Sequence, residues 1–297
     1  MSNKPRKMTL EKKHNLTGWA FLAPATFLIA VFSFWPMIKA LVLSFQTGKG
    51  RNMQMAGFTN YIRMFQDDVF IQSIKNTFFY FILQVPIMLV VAMVLACILN
   101  KKDLRFKGFF RTMIFVPCTT SLVAYSIIFR SLFANNGLVN YVLVNLGILD
   151  KPYNFLTQPF AAKIVIILAL LWRWTGYNMV FFLSGLQNIE YSVYEAAKID
   201  GASAIQTFFK ITVPLLKPTI LLTAIMSTNG TLQLFDESIN LTDGGPANAS
   251  ISMSHYIYNL CFKYVPNFGY AAAMSFFILL LVAVLAFIQM RVGDKRD

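Results

Sequence analysis

Histidine, cysteine and acidic side chains are all scarce in this sequence: 2 His, 3 Cys and 13 Asp+Glu in 297 residues. With only His14 and His255, no HExxH zinc site can be written, and neither a GxxxxGK[ST] phosphate loop nor a GxSxG nucleophile elbow occurs. Gly48-Lys49-Gly50 is a short basic turn and nothing more. Cys97, Cys118 and Cys261 form no CxxC pair and read as unpaired packing residues. The sequence thus lacks the equipment of a metalloenzyme, a serine hydrolase or a nucleotide-binding motor, and any ATP used on its behalf is bound elsewhere. Charge is thin as well, 13% against about 25% in soluble domains, while hydrophobic residues reach 57%. So few charges cannot cover a soluble surface, so lipid must cover it.

A bilayer core of about 30 Å is crossed by about 20 apolar residues in a helix. Six runs qualify, approximately 18–45, 73–99, 109–133, 161–185, 214–235 and 268–290. The expected organisation is a tail over 1–17, one all-α integral-membrane domain of six helices over 18–291, and a tail over 292–297. The first run is too long for a cleaved signal peptide and contains Pro24 and Pro36, so it reads as a retained span. The fifth is the least regular, interrupted by Thr223, Ser227, Thr228, Asn229, Thr231 and Gln233. Pro86 and Pro117 are expected to kink spans two and three. Gly269, Ala272, Ala273 and Ser275 give span six a small-residue packing face. The loops on the far side, of roughly 27, 27 and 32 residues, fall below the scale of a separate domain. Solute capture there would belong to another protein, and His255 is expected at the surface of one of these loops.

The net charge of +13 could signify nucleic acid or an anionic membrane face, and its distribution decides. Lys4, Arg6, Lys7, Lys12, Lys13, Lys101, Lys102, Arg105, Lys107, Lys198, Lys210, Arg291, Lys295 and Arg296 all fall on one side of the six-span topology. The other side carries only Lys49, Arg51, Arg63, Lys151 and Lys263. By the positive-inside rule both termini are cytoplasmic, and the basic excess marks topology rather than a nucleic-acid partner.

The connection between spans four and five is the most informative segment. Residues 192–199 are good helix sequence, Asp200-Gly201 is a stop, and a second helical stretch follows with Ile205, Phe208, Phe209 and Thr212 on one stripe. Pro214 fits the first turn of the next span. Small Ala196, Ala197 and Ala202 beside Glu195 would let a partner's backbone approach closely. The order Glu195-Ala196-Ala197, three residues, Gly201, nine residues, Ile211, one residue, Val213-Pro214 resembles the EAA loop of permease subunits from ATP-binding-cassette importers, with Val213 in the usual Leu place. Leu241-Thr242-Asp243-Gly244-Gly245-Pro246-Ala247-Asn248 is similar to the LTxGGPxN segment of carbohydrate-type permeases, and Trp172, Gly176 and Leu186-Gln187 fit the same subgroup.

The resemblance implies a type I importer permease (MetI-like) fold in a bacterial or archaeal cytoplasmic membrane. Partners would be a second homologous permease, two copies of an ATPase subunit that bind the ATP and Mg, and an extracytoplasmic solute-binding protein that delivers a sugar. This chain itself would be no enzyme and would bind no cofactor. Glu195, Ala196, Ala197, Asp200, Gly201, Ala202, Phe208, Ile211 and Pro214 would form the ATPase-coupling element. Gly244, Gly245, Pro246 and Asn248 would be a docking surface for the binding protein.

For the solute pathway, Arg173 near the middle of span four is the costliest residue in the chain. Trp172, Trp174, Tyr177 and Asn178 surround it, and span five offers Ser227 with Thr231, Asn229 with Gln233, then Phe235 and Asp236. Aromatic rings suit the C–H faces of sugars, while amides and guanidinium suit hydroxyls. Two readings of Arg173 stand at this point. It lines the pathway, which would admit an anionic sugar such as a sugar phosphate or uronide, or it pairs structurally with Asp236 or a partner carboxylate. An ATP-independent secondary transporter is the competing class, and it would have no use for an EAA-type loop.

Overall fold

The computed structural model describes residues 9–49, 52–101 and 103–293. In chain order the helices are α1 (Leu10–Ile29), α2 (Trp35–Ser44), α3 (Thr59–Met64), α4 (Asp68–Asn100), α5 (Lys107–Thr119), α6 (Leu122–Leu132), α7 (Leu138–Asn145) and α8 (Pro159–Gln187). After them come α9 (Tyr191–Ile199), α10 (Ala204–Thr207), α11 (Val213–Leu215), α12 (Lys217–Leu232), α13 (Asp236–Thr242), α14 (Met253–Tyr258) and α15 (Phe268–Gly293). A small antiparallel hairpin, β1 (Gln46–Lys49) with β2 (Asn52–Met55), follows α2.

Among the described residues four helical stretches are long and apolar enough to cross a membrane, and up to six spans result when each of two bent pairs counts as one. The bent pairs are α5 with α6, at 99°, and the α10–α11 stretch with α12, at 71°. The expected kink near Pro117 is thus a full break, three residues further on. Pro86, by contrast, sits inside the uninterrupted α4. The first helix starts at Leu10, eight residues before the expected 18, and α15 runs to Gly293. The rest of both expected tails, 1–8 and 294–297, lies outside the described residues.

Two prolines leave a trace that the hydropathy pattern does not contain. Proline has no N–H and its ring crowds the carbonyl four residues back, and a wider turn relieves both. A π turn over Ala30–Phe34 ends two residues before Pro36, and another over Phe208–Thr212 ends two residues before Pro214. The second one disturbs the expected stripe: Thr212 is buried and Phe208 half-buried, but Ile205 and Phe209 are 72% and 65% exposed.

α4 and α8 form the centre. Ala92, Met93 and Ala96 of α4 pack on Met179, Phe182 and Leu183 of α8 near one end, and Tyr80 packs with Ile166, Ile167 and Leu170 nearer the other. Close approach is enforced by glycine: a Cβ at Gly176 would collide with the Ile114 carbonyl of α5, and one at Gly269 with the Gln46 carbonyl after α2. α1 makes no such packing and its described side chains are exposed.

Asp67 ties together the end of the bundle opposite the chain termini. Its Oδ1 accepts from the Val69 and Phe70 amides, capping α4, and its Oδ2 accepts from the Tyr256 and Tyr270 hydroxyls, both at 2.7 Å. Burial works against the charge, but the two tyrosine hydroxyls and then the two amides outweigh it and hold the carboxyl below its ordinary value. Asp67→Ala removes a cap and orphans two hydroxyls, so thermal unfolding in detergent should show a loss of about 2–4 kcal/mol. Asp67→Asn, which keeps one acceptor, should fall between it and wild type.

Candidate functional site

The break between α5 and α6 is where the site begins. Pro117 supplies no N–H, Thr120 turns its own N–H and hydroxyl back onto the Pro117 carbonyl, and the chain bends away. At membrane depth a carbonyl so exposed needs a donor from another element. Arg173 of α8 provides it, with Nη1 2.6 Å from the Thr120 carbonyl and 3.3 Å from its hydroxyl. The guanidinium lies 4.9 Å from the Tyr125 ring centre and 5.2 Å from that of Trp174. Tyr125 in turn donates its hydroxyl to Glu237, a carboxylate only 4% exposed. Arg173 makes no ion pair with Asp236, and its Nη1 is committed to the broken span, while its buried Nε has no hydrogen-bond partner among the described residues.

Beside this junction α4, α8, α12 and the start of α13 enclose a cavity of about 310 Å³. Trp174, Tyr177, Asn178, Ser227, Thr231, Gln233 and Phe235 line it, as do Gln84, Met88, Asp236 and Glu237. Three of the expected pathway residues do not. At 100° per residue Trp174, Tyr177 and Asn178 share one face of α8, whereas Trp172 points elsewhere, stacking on Tyr125 and leaning on Phe129. Arg173 faces the break. Asn229 accepts from Gln233 Nε2 and lines a separate space with Ser254 and Ser275.

Much of the cavity's polar lining is already wired to itself. The Thr231 hydroxyl donates to Gln84 Oε1 at 2.8 Å, and the Ser227 hydroxyl to Asn178 Oδ1 at 3.3 Å. Gln84 and Glu237 escape a reading of spans four and five alone. The available signal was a lone Gln inside the most apolar stretch of span two, since amides at that depth face a partner or a cavity.

On the side of the bundle where α4 and α8 end, the 190–218 connection folds as a short helix, a turn and a second helix. α9 stops in a Schellman turn: Ala202 N–H reaches the Ala197 carbonyl, Gly201 N–H the Lys198 carbonyl, and Gly201 has φ +75°. Ser203 and Gln206 then form a capping box that starts α10. Ala197 is buried, while Glu195 and Ala196 are exposed, and Glu195 has no partner among the described residues. Ile199, Ile205 and Phe209, all strongly exposed, make an apolar rim of the kind that marks a docking surface. Asp200 and Pro214 are exposed, Ala202, Phe208 and Ile211 half-buried.

Residues 68–296 match the family described as "Binding-protein-dependent transport system inner membrane component". The chain belongs to this family. Its members are permease subunits of ATP-binding-cassette importers, not enzymes. The permease is 51% identical over 292 residues, 98% of each chain, to the lactose transport system permease protein LacF of Rhizobium radiobacter. It is 30% identical to the arabinooligosaccharides transport system permease protein AraP of Halalkalibacterium halodurans, over 96% of this chain and 90% of that one. In three dimensions it superposes with TM-score 0.84 and 25% identity, over 98% of both chains, on a solved chain of a bacterial alginate transporter bound to an alginate pentasaccharide-loaded periplasmic protein.

In the permease the Gly-Gly-Pro segment is sewn down from inside. Asn76 of α4 donates to the Asn248 and Ile251 carbonyls, and Tyr80 to the Ser250 carbonyl. Gly244 is buried at φ +74°, where a Cβ would press on His255 and Ile251. Gly245, Pro246 and Asn248 are half-buried, and Ala247 is exposed.

His255, expected at a loop surface, is instead fully buried on α14. Ser238 Oγ lies 2.9 Å from His255 Nδ1 and accepts from the Ser252 amide, so one ring nitrogen is hydrogen-bonded. Nε2 makes no hydrogen bond among the described residues and lies 3.7 Å from an Asp243 carboxylate already bound by Lys263. Burial depresses His255 to about 4, with Asp243 opposing and Lys263 adding to the effect.

Two measurements follow. Because the folded value lies below the ordinary 6.5, the contribution of His255 is complete above pH 6.5 and lost as pH falls toward 4. Melting temperature should therefore drop across that window, with a flatter slope in His255→Gln. Arg173→Met should lower stability by about 1–3 kcal/mol through the orphaned Thr120 carbonyl, and Arg173→Lys should recover part of it.

Proposed function

We propose that this permease is one of two membrane subunits of an ATP-driven sugar importer, taking a neutral sugar or short oligosaccharide from an extracytoplasmic binding protein. The carrying observation is that α8 holds both working parts. Trp174, Tyr177 and Asn178 wall the cavity, and three residues beyond the end of the same helix the exposed coupling helix α9 begins. Rings and amides together suit a carbohydrate, and the relatives named for lactose and arabinooligosaccharides support that class.

In this reading two copies of an ATPase subunit hold ATP and Mg, and their closure moves α9 through contacts on Glu195, Ala196 and the apolar rim. On the same reading the termini, α9 and the Lys-rich connections face the cytoplasm, an orientation that the charge asymmetry supports. A second homologous permease completes the pathway, and access to the cavity alternates as the two permeases rock about it. The binding protein meets the opposite side, where Ala247 and its half-buried neighbours Gly245, Pro246 and Asn248 reach the surface.

The test is ATP hydrolysis by the reconstituted complex in nanodiscs, with and without sugar-loaded binding protein. Gly201→Val forces a branched side chain into the left-handed region at a cost of about 1–2 kcal/mol, but it meets open space there and should not unfold the bundle. Stimulation should be lost in Gly201→Val and in Glu195→Lys while the permease pair stays assembled. Full stimulation in both variants would remove α9 from the coupling role.

A further inference from the structure

Three consecutive residues open α13 and divide between two tasks. Glu237, which also borders the cavity, is almost fully buried and has its carboxyl engaged by the Tyr125 hydroxyl, and Ser238 turns in and bonds Ser250, Ser252 and His255. Together they fix the helix. Asp236 is left on the cavity wall, half-buried, with no hydrogen bond or ion pair to its carboxylate among the described residues. Among the described residues no Lys or Arg lines the cavity, since the guanidinium of Arg173 is turned to Thr120 and two rings. Gln84, Asn178, Ser227 and Thr231 spend hydrogen bonds on one another or on nearby groups of the chain.

We propose that Asp236 sets the charge selectivity of the permease: its free carboxylate accepts hydroxyls of a neutral sugar and turns away uronates, aldonates and sugar phosphates. An ionised carboxylate offers acceptor sites only, so it pairs with hydroxyl donors and finds no bond to make with a second carboxylate. In a partly dehydrated cavity without a cation, a like charge is left uncompensated, and specificity arises through repulsion as much as attraction. Asp236 thereby decides between the two solute classes that Arg173 had left open in the sequence. This inference rests on the cavity being the sugar site.

The experiment is equilibrium displacement of radiolabelled lactose from the complete permease–ATPase complex, with the binding protein omitted so that it cannot act as the filter. Unlabelled lactose and its aldonate, lactobionate, are the competitors. Wild type should favour lactose by about tenfold or more, and Asp236→Asn should shrink that preference by about tenfold, whereas Asp236→Glu should keep it. An unchanged preference in Asp236→Asn overturns the proposal. Tyr177→Ala separates the two levels: lactose binding lost there, together with an unchanged Asp236→Asn ratio, removes only the charge filter. Lactose binding retained in Tyr177→Ala removes the cavity reading beneath it.

Discussion

A peptide group inside hydrocarbon has no water to bond, so every interruption of a membrane helix must be closed by something else in the protein. The third span of this permease is interrupted at Thr120, and Arg173 closes it. The rest of the site follows from that closure. With the guanidinium held at the break, Tyr125 lies against it and reaches Glu237, Glu237 anchors α13, and α13 forms one end of the cavity. Arg173, which the sequence leaves open between a solute ligand and a structural partner, is bonded to the break beside the cavity and does not line it.

The second interruption, at Leu216, has a different relation to function. Gly185 near the end of α8 lies against Leu216 and Thr219, so tightly that a Cβ would crowd both side chains. Tyr194 of α9 lies 3.4 Å from Thr212 in the π turn ahead of Pro214. α9 thus touches the π turn that leads into α12, while α8, which precedes α9 in the chain, packs on the same break, and both α8 and α12 wall the cavity further along. A displacement of α9 under the proposed function would load both walls at once. Such a route has physical content because its members are rigid helices joined at a break, which can have two discrete arrangements.

Legibility in the sequence followed periodicity and backbone chemistry. Six apolar runs give the spans, and Gly201 is identified as a left-handed stop because helical sequence ends at Ile199 and a second helical stretch follows. The small residues near the start of span six announce the contact at Gly269. What hydropathy could not supply was direction around each helix at the polar positions. Trp172 and Arg173 adjoin Trp174 in sequence but lie 100–200° away from it in projection, and only the packed neighbours decide which face meets a cavity. Gln84 came from a span that looked purely apolar, and Ile205 left its stripe because a π turn ahead of Pro214 changed the period. His255 is buried for a comparable reason: a long loop on the far side folds into α13 and α14, whose hydroxyls supply the partners an isolated loop would lack.

Two exposed features of the chain differ in what can cover them. α1 presents apolar side chains, which lipid satisfies without help. Asn229 and Gln233 of the fifth span are exposed and polar, and Ser254 and Ser275 adjoin them around a space of about 590 Å³. Their mutual hydrogen bond satisfies one amide N–H and one carbonyl and leaves the other amide groups unpaired by it. Lipid cannot serve those groups, so this face of α12 requires water or protein.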